Sequence, residues 1–355
     1  MVEATANGRV GAFRLARVAC FGFAAAFVLS AGTAHADTTL RFGLFTPKAH
    51  WYHKDLLEPW ARDVARVTEG RVKVEFTAAP LGPMPRNFDM VQRGIADVTA
   101  GVYATMPGRF RVAQIQELAN GDASVEAVSV AYWRTFERYL QQANEHDGTH
   151  VLAVHASAPL QLFMTKSAVT KLADLENKKL VAPSATVGKV IKALGAVPVQ
   201  LPVTERYDAI SKGVVDGGFL STTSVPGWRI TEFIRHGTQL AANGYLPGSF
   251  FVVVNQDRWN TIGEADRKAI MAVSGETFAR KAGRGFDEEA RDALKTISEA
   301  GVKLIEPERG LLAALAQASA FIEEEWRSAA RAARIDPDAA LALFREETRK
   351  AGSKK

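Results

Sequence analysis

One ten-residue pattern occurs twice in the chain, and it limits the possible architectures more than any other feature. Residues 88–97 read FDMVQRGIAD and residues 207–216 read YDAISKGVVD. Asp89, Gly94 and Asp97 match Asp208, Gly213 and Asp216, while Phe88/Tyr207, Val91/Ile210, Arg93/Lys212 and Ile95/Val214 are conservative pairs. Each copy follows a proline-containing stretch, APLGPMPR (79–86) or VQLPVTER (199–206). Apolar residues three apart place one face of a short helix inward, the glycine suits the left-handed end of that helix, and an apolar strand starts next. A helix–glycine–strand unit present twice predicts two related lobes.

The segments around the two copies fit that expectation. LRFGLF (40–45), RVKVEFT (71–77), IADVTAGV (95–102), HVLAVHA (150–156), KKLVA (178–182) and FFVVVN (250–255) read as strands. Between them, 53–70, 86–93, 128–146 and 189–195 read as helices, and the chain is mostly helical from about 264 onward. Alternating strands and helices predict α/β domains with helix-covered sheets. At 355 residues the chain suits two domains of ordinary size.

Residues 1–36 are set apart from the fold. Arg9, Arg14 and Arg17 precede the apolar run 18–32, and Ala34-His35-Ala36 offers small residues where a signal peptidase cuts. This reads as a secretory leader removed after Ala36, with the mature chain free of membrane insertion. Cys20, the one cysteine, lies inside the leader, so the mature chain has no disulfide or thiol-based metal site. The leader's three arginines and one glutamate account for +2 of the formal +5, leaving +3. That near-neutral balance gives no reason to expect nucleic acid as a partner.

TEGRVKVEF (68–76), LGPMPRNFDMVQRGIADVTAG (81–101), DLENKKLVAP (174–183), KALGAVPVQLPVTERYDAISKGVVDG (192–217) and FFVVVNQDRWNTIGEADRKAI (250–270) together carry a family likeness. They resemble the extracytoplasmic solute-binding subunits of tripartite ATP-independent periplasmic (TRAP) transporters, the C4-dicarboxylate-binding-protein-like family. The likeness runs from about Leu40 to Ile305. It implies a two-lobed α/β solute-binding fold with a ligand cleft between the lobes and C-terminal helices packing across. Lobe I would comprise 38–155 plus 241–300, and lobe II 156–240 plus 301–350. It further implies a periplasmic protein that captures a small organic solute and delivers it to integral-membrane permease subunits, without catalysis or cofactor. A sensory protein presenting ligand to a receptor kinase shares this fold and is the alternative; a periplasmic enzyme is a third reading.

The resemblance departs where ligand specificity is set. Many members grip a carboxylate with an arginine where this chain has Val181, and with a second that would fall near Gln161. Gly218-Phe219-Leu220-Ser221 stands where many carry Gln-Glu-Asn-Pro. Valine lacks the planar fork that matches a carboxylate bidentately, so the C4-dicarboxylate specificity is not expected here. A neutral or weakly acidic solute with a flat or aromatic part is expected instead.

Candidate ligand-binding residues follow from strand ends. Trp51 suits stacking on a planar ligand, and Lys48, His50 and His53 beside it suit an anion. Tyr103 and Thr105 offer hydrogen bonds, and Arg109 is a stand-in for the missing arginine. Ser184, Ser221, Thr222 and Thr223 offer hydroxyls, and Tyr245 lies in a crossing segment that the resemblance brings to the ligand. Each also has a plainer structural role: packed aromatic, surface cation or turn residue. The pairs His50/His53 and His146/His150 have metal-like spacing but sit near loops without an HExxH helix, so no metal is expected. Residues 311–334 form an amphipathic helix expected to pack on the lobes, and Asp336 is expected to cap a last helix.

Overall fold

The computed structural model describes residues 38–118, 123–201, 205–240 and 244–352. The leader assigned to 1–36 lies outside the described residues. The strands are β1 (Thr38–Gly43), β2 (Val72–Phe76), β3 (Val98–Val102), β4 (Thr149–Ala156), β5 (Leu160–Met164), β6 (Lys179–Ala182), β7 (Val197–Gln200), β8 (Gly217–Ser221), β9 (His236–Thr238), β10 (Ser249–Asn255) and β11 (Lys303–Ile305). They form two sheets, ordered β2-β1-β3-β10-β4 and β11-β9-β5-β8-β6-β7. In the first, β1 pairs parallel with β2 and β3, and β10 runs antiparallel between β3 and β4. In the second, β6 pairs parallel with β7 and β8, and β5 runs antiparallel between β8 and β9. The antiparallel strand of each sheet is the one the chain enters just after crossing from the other lobe. Consequently the C-terminal ends of the parallel strands in both sheets lie on the side of the crossings, where each lobe faces its neighbour.

The helices are α1 (Glu58–Val67), α2 (Asn87–Gln92), α3 (Val125–Arg138), α4 (Ala185–Ala193), α5 (Arg206–Ser211), α6 (Ser224–Gly227), α7 (Gln256–Thr261), α8 (Glu264–Val273), α9 (Gly275–Glu299), α10 (Arg309–Ala332) and α11 (Pro337–Gly352). Tyr52–Leu57 forms a π-helical turn leading into α1. Phe42, Phe88, Tyr103 and Phe251 are fully buried in the lobe I core. Each such ring contributes about 1.5–3 kcal/mol of burial free energy.

The repeated sequence builds the same device in both lobes. Gly94 (φ +72°) and Gly213 (φ +68°) end α2 and α5 in the left-handed region. The following amides close equivalent bonds, Ile95 N–H to Met90 O at 2.8 Å and Val214 N–H to Ala209 O at 2.9 Å. Each aspartate then clamps the backbone of a neighbouring strand, at Arg41 within β1 and at Lys179, the first residue of β6. Asp97 Oδ2 accepts from Arg41 N–H at 2.8 Å, while its own N–H donates to Arg41 O at 2.9 Å. Asp216 does the same with Lys179, at 2.8 Å in both directions. The first copy adds Arg258, whose Nε donates to Asp97 Oδ1 at 3.0 Å.

The C-terminal half departs from the expected division. α9 begins in the lobe I core with Phe278, Ala279 and Ala282, and ends in lobe II with Ile297. α10 returns, from Leu311 and Leu315 in lobe II to Trp326, Ala329 and Ala330 in lobe I. Trp326 Nε1 donates to Val112 O at 2.9 Å. α11 packs on α3, so 326–352 belongs with lobe I and not, as expected, with lobe II. Helices of 25 and 24 residues span about 36 Å, long enough to engage both lobes. Asp336 does start the last helix, its Oδ1 accepting from Asp338 and Ala339 N–H. α3 stops at Arg138, short of the expected 146, because Tyr139 leaves helical geometry at φ −126°, and the 3-10 turn that follows ends at left-handed Asn144.

Candidate functional site

The crossing-side edge of lobe I is aromatic. Tyr52 is carried into the core by the π-helical turn after β1, and His155 sits near the end of β4. Phe250 occupies the start of β10 and alternates with Phe251, which faces the opposite side into the core. Phe250 stacks on His155 at 5.1 Å and 22°, and meets Tyr52 at 5.8 Å and Phe286 of α9 at 5.8 Å. Phe45 meets Tyr52 edge-on at 5.2 Å, and Trp51 meets Phe286 edge-on at 4.8 Å. Tyr52, His155 and Phe286 are buried, while Phe45, Trp51 and Phe250 are half-buried in front of them. Aromatic residues account for the contacts that fix this wall.

The wall is electrically neutral. His155 Nδ1 lies 2.9 Å from Ala156 O, a carbonyl that can only accept, so Nδ1 carries the proton. Nε2 therefore accepts from the Tyr52 hydroxyl at 2.7 Å. Burial pulls the imidazole down to about 4, and pushes the Tyr52 phenol up from its ordinary value. Both groups are uncharged at neutral pH. A planar apolar ligand meets complementary surface here, whereas a carboxylate finds no cation in the wall.

The structure sorts the candidate residues into two groups. His50, Trp51, Ser184, Ser221 and Thr222 all lie at the strand ends on the crossing side. His50 is exposed, and its Nδ1 accepts from Tyr52 N–H at 3.2 Å. Ser184 caps α4, accepting from Val187 N–H at 3.2 Å. Ser221 Oγ is 2.5 Å from Ser224 Oγ and 3.3 Å from Thr223 Oγ1. Thr222 is buried behind them.

The others are engaged by partners within their own lobes or crossings. Tyr103 is fully buried, its hydroxyl 2.7 Å from His146 Nε2, because the 3-10 turn Tyr103–Thr105 folds the ring back into lobe I. Arg109 is ion-paired with Asp89, 3.0 Å from Gln92 Oε1, and 4.1 Å above the Phe88 ring. Its charge is already neutralised within lobe I. Gln161 Oε1 accepts from Leu240 N–H at 2.7 Å and so fastens the second crossing. Tyr245 bridges to Leu160 through its backbone, with its ring in the lobe II core beside Leu311 and Leu315. His53 is buried 3.1 Å from Glu58. His146 is held by Tyr103, and His150 stacks on Trp259 at 4.5 Å. Phe45, Phe250 and Phe286 were missed in the sequence. Phe250 lay in an apolar run whose alternation, with Phe251 inward, was the available signal.

Two α/β lobes whose strand ends face one another, tied by two crossings and two lobe-spanning helices, define a cleft-type solute-binding protein. The chain belongs to the bacterial extracellular solute-binding protein family 7, whose family model matches residues 42–329. It is similar to a TRAP periplasmic solute-binding protein from Bordetella bronchiseptica solved with (R)- and (S)-mandelate. That match is 30% identical, covers 88% of this chain and 99% of the other, and has a TM-score of 0.82. It is also similar to a marine metagenome TRAP solute-binding protein specific for aromatic acid ligands, solved with meta-hydroxyphenylacetate. There the identity is 27%, the coverage 88% and 99%, and the TM-score 0.79. A further relative, the outer membrane transporter protein TsaT of Comamonas testosteroni, is 26% identical over 83% of this chain and 87% of its own length. The TRAP resemblance read from the sequence is correct. The protein captures a small organic solute and delivers it to a TRAP transporter, and it is not an enzyme.

Proposed function

We propose that the chain is exported to the periplasm, captures an aromatic carboxylate between its lobes, and presents it to the membrane permease subunits. The observation that carries the ligand class is the uncharged wall of Phe45, Trp51, Tyr52, Phe250 and His155 at the facing edge of lobe I. Its half-buried rings offer edge and face contacts to a benzene-sized group. The mandelate and meta-hydroxyphenylacetate held by the two related structures support this reading. Trp51 and His50 would line the lobe I side, and the hydroxyls of Ser184, Ser221 and Thr222 the lobe II side. Contacts to both lobes would favour the closed form by their differential affinity, with no chemistry done on the ligand. Export would use the leader, with the mature chain starting at Asp37.

Native mass spectrometry of freshly purified mature protein tests this. The expected result is a retained mass matching an aromatic acid and released on unfolding, with the polypeptide mass starting at Asp37. A retained C4-dicarboxylate or sugar would overturn the ligand class.

A further inference from the structure

The aromatic wall contains no cation for a ligand carboxylate, and two positions where the family likeness places arginines carry none. Val181 is fully buried among Ile210, Val215 and Leu220, and the Gln161 amide oxygen is occupied by Leu240 N–H. Three other cations lie near the facing strand ends. Lys48, on a loop, and Arg86, in a 3-10 turn, are exposed and screened by solvent, and Arg109 is paired with Asp89. Arg206 differs from all three.

Arg206 opens α5, directly after the loop that leaves the crossing-side end of β7. Its counterpart in the repeat is Asn87, which opens α2, is fully buried, and donates from Nδ2 to Ala100 O in β3 at 3.2 Å. Ala100 corresponds to Phe219 in β8, one strand residue short of the Leu220-Ser221 end. The repeat therefore puts the start of α5, like the start of α2, on the crossing side of its lobe, the side on which β8 ends at Ser221. Where lobe I has a short amide tied to its strand, lobe II has a long cation. Arg206 is partly sheltered, and its one hydrogen bond among the described residues runs from Nε to Leu201 O at 3.4 Å. No carboxylate among the described residues pairs with it. Desolvation alone acts on the guanidinium and lowers its pKa, with no neighbouring acid to raise it.

We infer that Arg206 is the carboxylate-binding residue of lobe II, its free Nη1 and Nη2 receiving the ligand's acid group while the ring rests on the lobe I wall. This rests on the aromatic-carboxylate reading above. A sheltered, unpaired guanidinium is unfavourable in the empty protein, and a bidentate carboxylate relieves that cost. Because one end of the ligand is held by each lobe, the charge pair also favours closure.

The test compares wild type, Arg206→Gln and Arg206→Lys by calorimetric titration with 3-hydroxybenzoate and with its neutral amide, 3-hydroxybenzamide. Arg206→Gln is expected to lose 3-hydroxybenzoate affinity by about 100-fold or more and to lose the preference for acid over amide. Its empty form is expected to melt no lower than wild type, since an unpaired buried charge is gone. Arg206→Lys keeps the charge without the fork and is expected to lose about tenfold; it carries the test if the glutamine variant does not fold. Acid affinity within about threefold of wild type in Arg206→Gln, or unchanged in Arg206→Lys, overturns the assignment while leaving the aromatic-acid reading intact. Wild type that ignores both compounds removes that reading and this inference together.

Discussion

Replacing Asp97 or Asp216 with alanine tests whether the repeated sequence is a repeated structural device. Each carboxylate accepts one strand N–H at 2.8 Å, from Arg41 or from Lys179. A hydrogen bond to a charged acceptor contributes about 1.5–3 kcal/mol, and its loss leaves an unpaired amide. Asp97 also accepts from Arg258, but that arginine's side chain is 40% exposed, which limits the ion pair to about 0–1 kcal/mol. Asp216→Ala should therefore cost about 2 kcal/mol and Asp97→Ala no more than about 1 kcal/mol beyond that. Asparagine keeps an acceptor oxygen and should recover roughly half of the loss at either site. Hydrogen exchange separates the lobes: Asp97→Ala should speed exchange at the Arg41 amide and leave Lys179 unaffected, and Asp216→Ala should do the reverse. Chemical denaturation gives the total. The reasoning is refuted if either alanine variant stays within about 0.5 kcal/mol of wild type, or if both amides respond to both substitutions.

Three further outcomes follow from particular contacts. Glu117 is buried with its carboxylate 2.7 Å from Ser249 Oγ, and burial pushes it up to about 7. A raised carboxylate stabilises fully below its unfolded value near 4.5 and loses that contribution as pH rises through 7. Glu117→Gln should therefore gain about 3 kcal/mol on wild type between pH 5 and pH 8, and denaturation curves that stay parallel across that range would contradict it. A methyl added at Gly101 would come 2.4 Å from Phe251 Cζ. Gly101→Ala should lower stability by about 1–3 kcal/mol in thermal melts, and an unchanged melting temperature would show that Phe251 moves freely. Phe250→Ala removes a half-buried ring of the wall and should weaken aromatic-acid binding about tenfold in fluorescence titration; equal affinity would place the ring elsewhere.

Much of this architecture was readable in the chain because it depends on local chemistry. The glycines at 94 and 213 end helices through bonds within a few residues, so those repeated letters carried the repeated geometry, whereas the partners of Asp97 and Asp216, Arg41 and Lys179, lie 56 and 37 residues away and only the folded chain names them. Tyr103 was not readable, since its orientation depends on His146, from a segment distant in sequence. For the same reason the sequence shows Arg109 as a cation but not that Asp89 pairs with it. The placement of 326–352 with lobe I depends on how far α10 extends, which amphipathic spacing alone does not fix. Arg206 stands inside VQLPVTER, yet only the absence of a carboxylate partner among the described residues distinguishes it from an ordinary surface arginine.

We propose above that the cleft takes an aromatic carboxylate and not a dicarboxylate. Isothermal titration of the mature protein with 3-hydroxybenzoate and with succinate tests it most directly. The expected result is saturable one-to-one binding of 3-hydroxybenzoate with a negative heat-capacity change, from burying the ring against the lobe I wall, and no measurable binding of succinate. Tighter binding of succinate, with no heat from the aromatic acid, would contradict it.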